Sequence, residues 1–328
     1  MRQISKAPSE VFSFVVPSRG GRLDQVLAHE EAIKSRTVAQ KMITSRLVTV
    51  NGVVATKASL SVASGDRIEV TLPSSAPVAI DSSKKSTTLP ILYEDDFCFV
   101  INKPAGVVVH PGSGMKTREE TVLSALKPLF AKWKLPFSEG EVLVHRLDKD
   151  TTGCMLIAKT PKAHLFLQKQ FAERTVKKTY IALAYGRPHE KTATIDAPIG
   201  RHGTLRTKMS IHQAVRSRSA QTTYRTLVWG HGVSLLECDL HTGRTHQIRV
   251  HLASIGHPVL GDPTYGSNAS KELSLSLGVQ QLLLHAKHLE FQSPSKKCVI
   301  VEAPLPEEFL KTLDRVGLED REKSPASA

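Results

Sequence analysis

The stretch from Pro73 to Thr88 has no hydrophobic period, and it cuts the chain in two. It is rich in Pro, Ser, Ala and Lys, which favour neither a helix nor a strand. A single core cannot run through such a segment, so a short unit must fold before it and a long one after it. We assign a linker to residues 74–88, a small domain to 21–73 and a large domain to 89–314. Residues 1–20 read as an N-terminal arm and 315–328 as a disordered tail. The length of 328 residues agrees, at ~100–200 residues per domain.

In the small unit the apolar period changes once. Leu23, Val26 and Leu27 have helical spacing, with Asp24 and Gln25 on the other face. Ser35 is placed to cap a second helix carrying Val38, Met42 and Ile43. Residues 47–50 read as a strand, and Asn51-Gly52 is a strong signal for a two-residue hairpin turn. Gly65-Asp66 turns again before Ile68 and Val70. The result is a small helix–helix–hairpin module. In the large unit we expect strands at 97–101, 107–109, 177–185, 221–228, 233–240 and 245–252. A helix at 161–173 opens on Thr160-Pro161, a cap followed by a first-turn proline. Strands outnumber helices and do not alternate with them, which indicates an α+β fold with a mixed, mostly antiparallel sheet.

Lys and Arg number 44 against 31 Asp and Glu, a net charge of +13. An excess of that size points first to nucleic acid. The charge is concentrated. Residues 201–225 hold Arg201, Arg206, Lys208, Arg216, Arg218 and Arg225 and no acid. A second set, Arg22, Lys34, Arg36, Lys41, Arg46 and Lys57, surrounds the Asn51-Gly52 turn, and Ser35 with Arg36 would open a helix where a phosphate is favoured. No apolar run approaches the ~20 residues of a membrane span, and no secretory signal is visible, so the expectation is a cytoplasmic protein. The four cysteines are scattered without a CxxC, which argues against a zinc ribbon or a disulfide framework.

Three segments carry chemistry. In Val144–Gly153 a strand-like stretch enters and leaves a cluster of His145, Arg146, Asp148 and Asp150. Asp148 is the better candidate for a functional carboxylate and Asp150 the competitor; the ordinary alternative for either is a turn aspartate. In His241–His251, read as a strand, Arg244, His246, Ile248 and Val250 share one face. His246 and His251 then point apart, and no metal site is expected. In Lys177–Ala182, Tyr180 reads as a half-buried strand aromatic. A glycosidase built on Asp148 and Asp150 would need carboxyls ~5–5.5 Å apart in its retaining form.

Together these segments resemble the RluA-type family of pseudouridine synthases. Tyr93–Asp96 with Asn102–Pro111 is similar to the family's opening motif, and His145–Gly153 to its catalytic signature. Lys178–Ala182 is similar to its tyrosine motif, Gly243–His251 with His257–Asp262 to its arginine motif, and Leu284–Ala286 to its last core motif. The module at 21–73 resembles an S4-type RNA-binding domain, through Arg22-Leu23-Asp24, Ser35-Arg36, Val48–Gly52 and Gly65-Asp66. Arg46 departs from it, standing where S4 sequences often have Gly.

The resemblance implies isomerisation of uridine to pseudouridine in RNA: the N1–C1′ bond breaks, the uracil rotates, and C5 bonds to C1′. Asp148 would act as nucleophile at C1′ or as base toward a sugar proton. Arg244 would pair with it, and Tyr180 would stack on the uracil and help remove the C5 proton. Arg146 would fill the gap left by the flipped base. RNA contacts are expected from His145, Arg146, Thr151, Arg22, Ser35, Arg36, Lys41, Asn51, Lys57, Arg201, Arg206 and Lys208. No metal and no other cofactor is expected, and the chain is expected to be a monomer. The expected RNA is 23S ribosomal RNA, in the manner of the RluD branch, which modifies the helix 69 stem-loop. A target like that of the RluC branch, a tRNA, and an inactive RNA-binding protein are the alternatives.

Overall fold

The structure is a computed structural model that describes residues 10–17, 20–30, 33, 36–72, 89–110, 120–205, 208–212 and 214–318. The chain divides into two compact units, Met1–Lys85 and Ser86–Ala328.

The first unit runs β1 (Glu10–Val15), β2 (Gly21–Arg22), α1 (Leu23–Ala28), α2 (Arg36–Thr44), β3 (Val48–Val50), β4 (Val53–Val54), β5 (Ser61–Val62) and β6 (Arg67–Leu72). Its main sheet has the order β1-β6-β3-β4. The expected N-terminal arm is therefore partly a strand: Glu10 to Val15 pair antiparallel with Leu72 to Arg67. Phe12 and Phe14 pack on the core while Val11 and Val15 stay exposed. That alternation is a strand signal which the arm reading passed over. Leu23, Leu27, Ile43, Val48, Ile68 and Val70 are fully buried between helices and sheet. Asn51 and Gly52, at φ 50° and 82°, close the β3–β4 hairpin as a primed turn. Arg46 takes φ 59°, so the left-handed corner after α2 is kept without glycine. Asp24 is fully buried, contrary to its expected place on the outer face of α1. Lys34, Ser35, Arg206 and the linker 74–88 lie outside the described residues, as does the side chain of Lys41.

The second unit runs β7 (Ile91–Glu94), β8 (Cys98–Lys103), α3 (Val122–Lys132), α4 (Glu139–Val142), β9 (Thr152–Ala158), α5 (Pro161–Glu173), β10 (Lys177–Tyr185), β11 (Thr192–Asp196), β12 (Ile199–His202), β13 (Met209–Ser210), β14 (Ala214–Arg218), β15 (Gln221–Gly230) and β16 (Val233–Leu240). It ends with α6 (Gln247–Ser254), α7 (Asn268–Ser276), β17 (Leu284–Gln292), β18 (Cys298–Glu302) and α8 (Glu307–Arg315). The large sheet has the order β11-β15-β16-β10-β17-β9-β8-β7, with β18 paired to β17. Among its ladders only β17–β9 is parallel. The fold is α+β, as expected. Both faces are covered. Phe99, Ile101, Met155 and Ile157 pack against α3 on one side, and Cys98, Val100, Cys154 and Leu156 against α5 on the other. All seven residues of β9 are consequently buried. Thr160 caps α5 through the Ala163 N–H, with Pro161 in the first turn.

Three expectations fail. Residues 107–109 form no strand; Val108 makes a single bridge to Thr121. The segment 245–252 is a turn followed by the helix α6, not a strand. The chain from 315 to 318 is no disordered tail, because α8 runs to Arg315 and the following Val316 and Leu318 are buried. No described helix is long and apolar enough to cross a membrane.

Candidate active site

The loop 145–151 leads into β9 at the middle of the sheet, and a buried cation holds it there. Lys103, the last residue of β8, is fully buried. Its Nζ donates to the carbonyls of Pro104, Lys149 and Thr151 at 2.8, 2.8 and 3.0 Å. Three N–H bonds meet three carbonyls, so the side chain ties β8 to the loop. Burial pulls this ammonium down to about 8, while Asp150 and Asp148 favour its charge. Beyond the loop, Gly153 has φ 105°, and a Cβ there would collide with the Ala286 carbonyl. Only glycine lets β9 come this close to β17.

Asp148 sits on this loop with its side chain 19% exposed. Its Oδ2 faces Arg249 Nη1 at 3.4 Å, and its Oδ1 faces His246 Nε2 at 4.0 Å. Arg249 is held from behind by Asp262, with Nε–Oδ2 2.7 Å and Nη2–Oδ1 2.8 Å. Burial raises the Asp262 carboxyl, but Arg249 and the N–H groups of Tyr265 and Thr264 outweigh it and hold the group below its ordinary value. His246 takes φ 57° at the N-terminus of α6, and its Nδ1 lies 2.8 Å from the Tyr265 hydroxyl. That hydroxyl oxygen already accepts the Met209 N–H at 2.9 Å. We assign its hydrogen to His246 Nδ1, which leaves the imidazole proton on Nε2, facing Asp148. Burial lowers the His246 pKa, against the pull of Asp148.

Tyr180 on β10 lies beside them. The β10–β17 ladder slips between Thr179 and Tyr180, and such a bulge re-aims a side chain. Burial, then the Asp148 charge, push the phenol well above its ordinary value, so it is neutral at neutral pH. Arg146, Asp148, Thr151, Tyr180, Ile248 and Leu284 are among the residues lining a cleft of ≈ 110 Å³. Asp148 is the only carboxylate among its described lining residues.

Several expectations are corrected. The partner of Asp148 is Arg249; the Nε of Arg244 donates to the Ser219 carbonyl at 2.9 Å instead. Reading 245–252 as a strand hid this, because a helical reading puts positions 246 and 249 on one face. Asp150 does not line the cleft, which removes the carboxylate pair of the glycosidase reading. His145 is no surface contact: Nε2 accepts the Leu156 N–H at 2.8 Å and the ring stacks on Phe171 at 4.7 Å. Burial, then Lys178, push it down to about 3, so it is neutral. Asn51 is spent on its turn, donating to Asp66 and accepting from the Arg67 N–H. Arg22 and Arg36 both pair with Asp24, at 3.0 and 2.9 Å, while remaining half exposed. Lys57 and Arg201 are exposed and Lys208 is partly so. Sequence reasoning quoted Lys103, Arg249 and Asp262 inside motifs without assigning them work, and it overlooked Tyr265. No group of three or more His, Cys, Asp or Glu among the described residues is arranged to hold a metal.

The family model described as RNA pseudouridylate synthase matches residues 97–254, and the S4 domain model matches 21–68. The chain is similar to ribosomal large subunit pseudouridine synthase D of Nitrosomonas europaea, with 42% identity over 90% of this chain and 85% of that one. It is similar to the protein of the same name in Zymomonas mobilis, at 37% over 92% and 96%. Among solved structures it resembles human RNA pseudouridylate synthase domain containing 1, with a TM-score of 0.56 and 30% identity over 67% of this chain and 85% of that one.

Proposed function

Because the chain belongs to the RNA pseudouridine synthase family and carries an S4 domain, we propose that it isomerises uridines of 23S ribosomal RNA, in the helix 69 stem-loop, with Asp148 as the reacting carboxylate. The observation that carries the assignment to Asp148 is its setting. It is the only carboxylate among the described residues of a basic cleft, partly exposed, with a different donor facing each oxygen. The large-subunit target is supported by the names of the relatives from Nitrosomonas and Zymomonas.

The target nucleotide must leave its stack to bring C1′ to a carboxylate set inside a cleft. Arg249, fixed by Asp262, aims one oxygen of Asp148, and His246 Nε2–H addresses the other. Asp148 then adds to C1′ or takes a sugar proton, the N1–C1′ bond breaks, and the uracil turns within the cleft. C5 then bonds to C1′ as Asp148 leaves C1′ or returns the sugar proton, and the isomer is completed by loss of the C5 proton and protonation of N1. Tyr180 supplies a flat surface for the uracil. As a neutral phenol it can take the C5 proton only by passing its own on, so we give it stacking as its first role. The chain acts as a monomer and needs no metal or other cofactor.

The test is tritium release from 23S transcripts labelled at uridine C5, with the wild type beside Asp148→Asn, followed by mapping of the modified sites. Release by the wild type alone, mapped to helix 69, is expected. Release elsewhere in 23S RNA or in tRNA reassigns the target, and equal release by Asp148→Asn removes that residue from the mechanism.

A further inference from the structure

Arg244, displaced from its expected partnership with Asp148, stands where two cavities meet. Gly243, Arg244 and Thr245 line the Asp148 cleft and also a second cavity of ≈ 670 Å³. That size lies within the ~300–1,000 Å³ of ordinary ligand sites. Its walls carry Arg201, Arg216, Arg218 and Arg244, and no acid is among its described lining residues. Like charges are gathered here without a counter-charge, an arrangement that costs the empty protein and favours an anion.

The fold aims these groups. Arg244 is tied at Nε to the Ser219 carbonyl, and its backbone N–H donates to Gln247 Oε1 at 2.9 Å. Its two terminal nitrogens have no partner among the described residues, so the outer edge of the guanidinium is free for a forked bond to a phosphate. Opposite it, the β12–β14 ladder shifts register around Gly200, and Arg216 has φ 54°. Arg216 and Arg218 of this bulged strand both line the cavity. Burial, then Arg218 and Arg174, lower the Arg244 pKa, which agrees with cations crowding one another.

We propose that this cavity binds the RNA backbone and that Arg244 clamps the phosphate adjoining the flipped nucleotide. The site rests on the RNA reading above and adds to it a place for one phosphodiester. It divides the labour of two arginines five positions apart: Arg249 serves the carboxylate and Arg244 serves the substrate.

The test uses synthetic stem-loops of the target RNA, each with one uncharged methylphosphonate linkage near the target uridine. Wild type, Arg244→Ala, Arg244→Lys and Arg218→Ala are compared in turnover and in RNA binding across a salt series. At one linkage the wild type is expected to lose on the order of 10-fold or more in kcat/KM. Arg244→Ala is expected to lose a similar factor on the unmodified RNA and nothing further at that linkage. Its binding should lose about 0.7 of slope in log K against log salt, with Arg244→Lys recovering the slope but not the full rate. Losses that multiply at every linkage, or an unchanged salt slope, overturn the proposal. If the wild type forms pseudouridine in none of the RNAs, the functional reading fails separately. The salt slopes of the four proteins still decide whether the cavity holds a phosphate.

Discussion

Asp24 and Asp148 each face two basic side chains, yet the two carboxylates are built for opposite purposes. Asp24 is fully buried and tightly bonded: Arg22 grips both oxygens at 3.0 and 3.2 Å, and Arg36 and Gln40 add bonds of 2.9 and 2.8 Å to Oδ2. The Arg22 bond, then Gln40, hold its carboxyl well below the usual range against burial. Asp148 is 19% exposed and its nearest cation is 3.4 Å away. A buried carboxylate held by four short bonds is part of the framework, whereas one held loosely by fixed donors keeps an oxygen for a substrate. Arg249 makes the same point within one residue, short to Asp262 and long to Asp148.

The largest effect that sharpens this contrast is Asp148→Asn. Turnover should fall on the order of 10⁴-fold or more while Tm and RNA affinity stay near wild type. The converse, Asp24→Asn, should leave kcat intact and lower the thermal stability of the small unit and its RNA affinity. A catalytic loss in the second variant would break the comparison. Next is Asp262→Asn, which leaves Arg249 buried without its tight partner. A stability loss of about 3 kcal/mol in urea unfolding is expected, with kcat falling more than KM. An unchanged kcat would mean that Arg249 needs no anchor.

The two units should also part in acid. Burial pushes His285 down to about 4 and His145 to about 3, whereas an unfolded histidine titrates near ~6.5. Between those values the unfolded chain binds more protons, so the large unit loses stability as pH falls from about 6.5 toward 4. Asp24 has the same sign in a lower window. Its folded pKa is depressed, so its contribution is complete above about pH 4 and is lost only as acid protonates it. Both tryptophans, Trp133 and Trp229, lie in the large unit, and their fluorescence should change at higher pH than the amide signals of the small unit. Coincident transitions would sink the distinction. The smallest effect is Asn51→Ala, which costs the hairpin about 1 kcal/mol through its lost bonds and positive φ and leaves the salt slope of RNA binding unchanged. A reduced slope would return Asn51 to the RNA surface.

The Asn51-Gly52 hairpin and the capped helix at 161–173 are legible because each has a face toward water and a local signal at its end, whereas the strand from 177, with Tyr180 to Ala184 all buried, is legible as a continuous apolar run. The segment 247–254 is illegible for a physical reason. Gln247 through Leu252 are all buried, so the helix has no polar face to mark its period. Its polar groups are satisfied at a distance: Gln247 by Gln221 and Thr222, His251 by Thr222 and Ala197, Arg249 by Asp262. The positions of Asp148 and Tyr180 could be read from motifs. The arginine that faces Asp148 could not, because choosing between Arg244 and Arg249 required knowing helix from strand.

Lys103 makes the loop that carries Asp148 answer to alkali. An ammonium has a hydrogen for each of its three carbonyls, but a neutral amine has only two. With the folded value near 8, raising the pH strips that proton while an unfolded lysine would keep its own to ~10.4. Across this window the unfolded chain holds the lysine proton more often, so this group's own contribution to stability rises with pH even as one buried carbonyl of Pro104, Lys149 or Thr151 loses its donor. Activity should therefore fall above pH 8 ahead of thermal stability, because it is the buried thiols of Cys98, Cys154 and Cys238, raised by burial, that weaken the fold at higher pH.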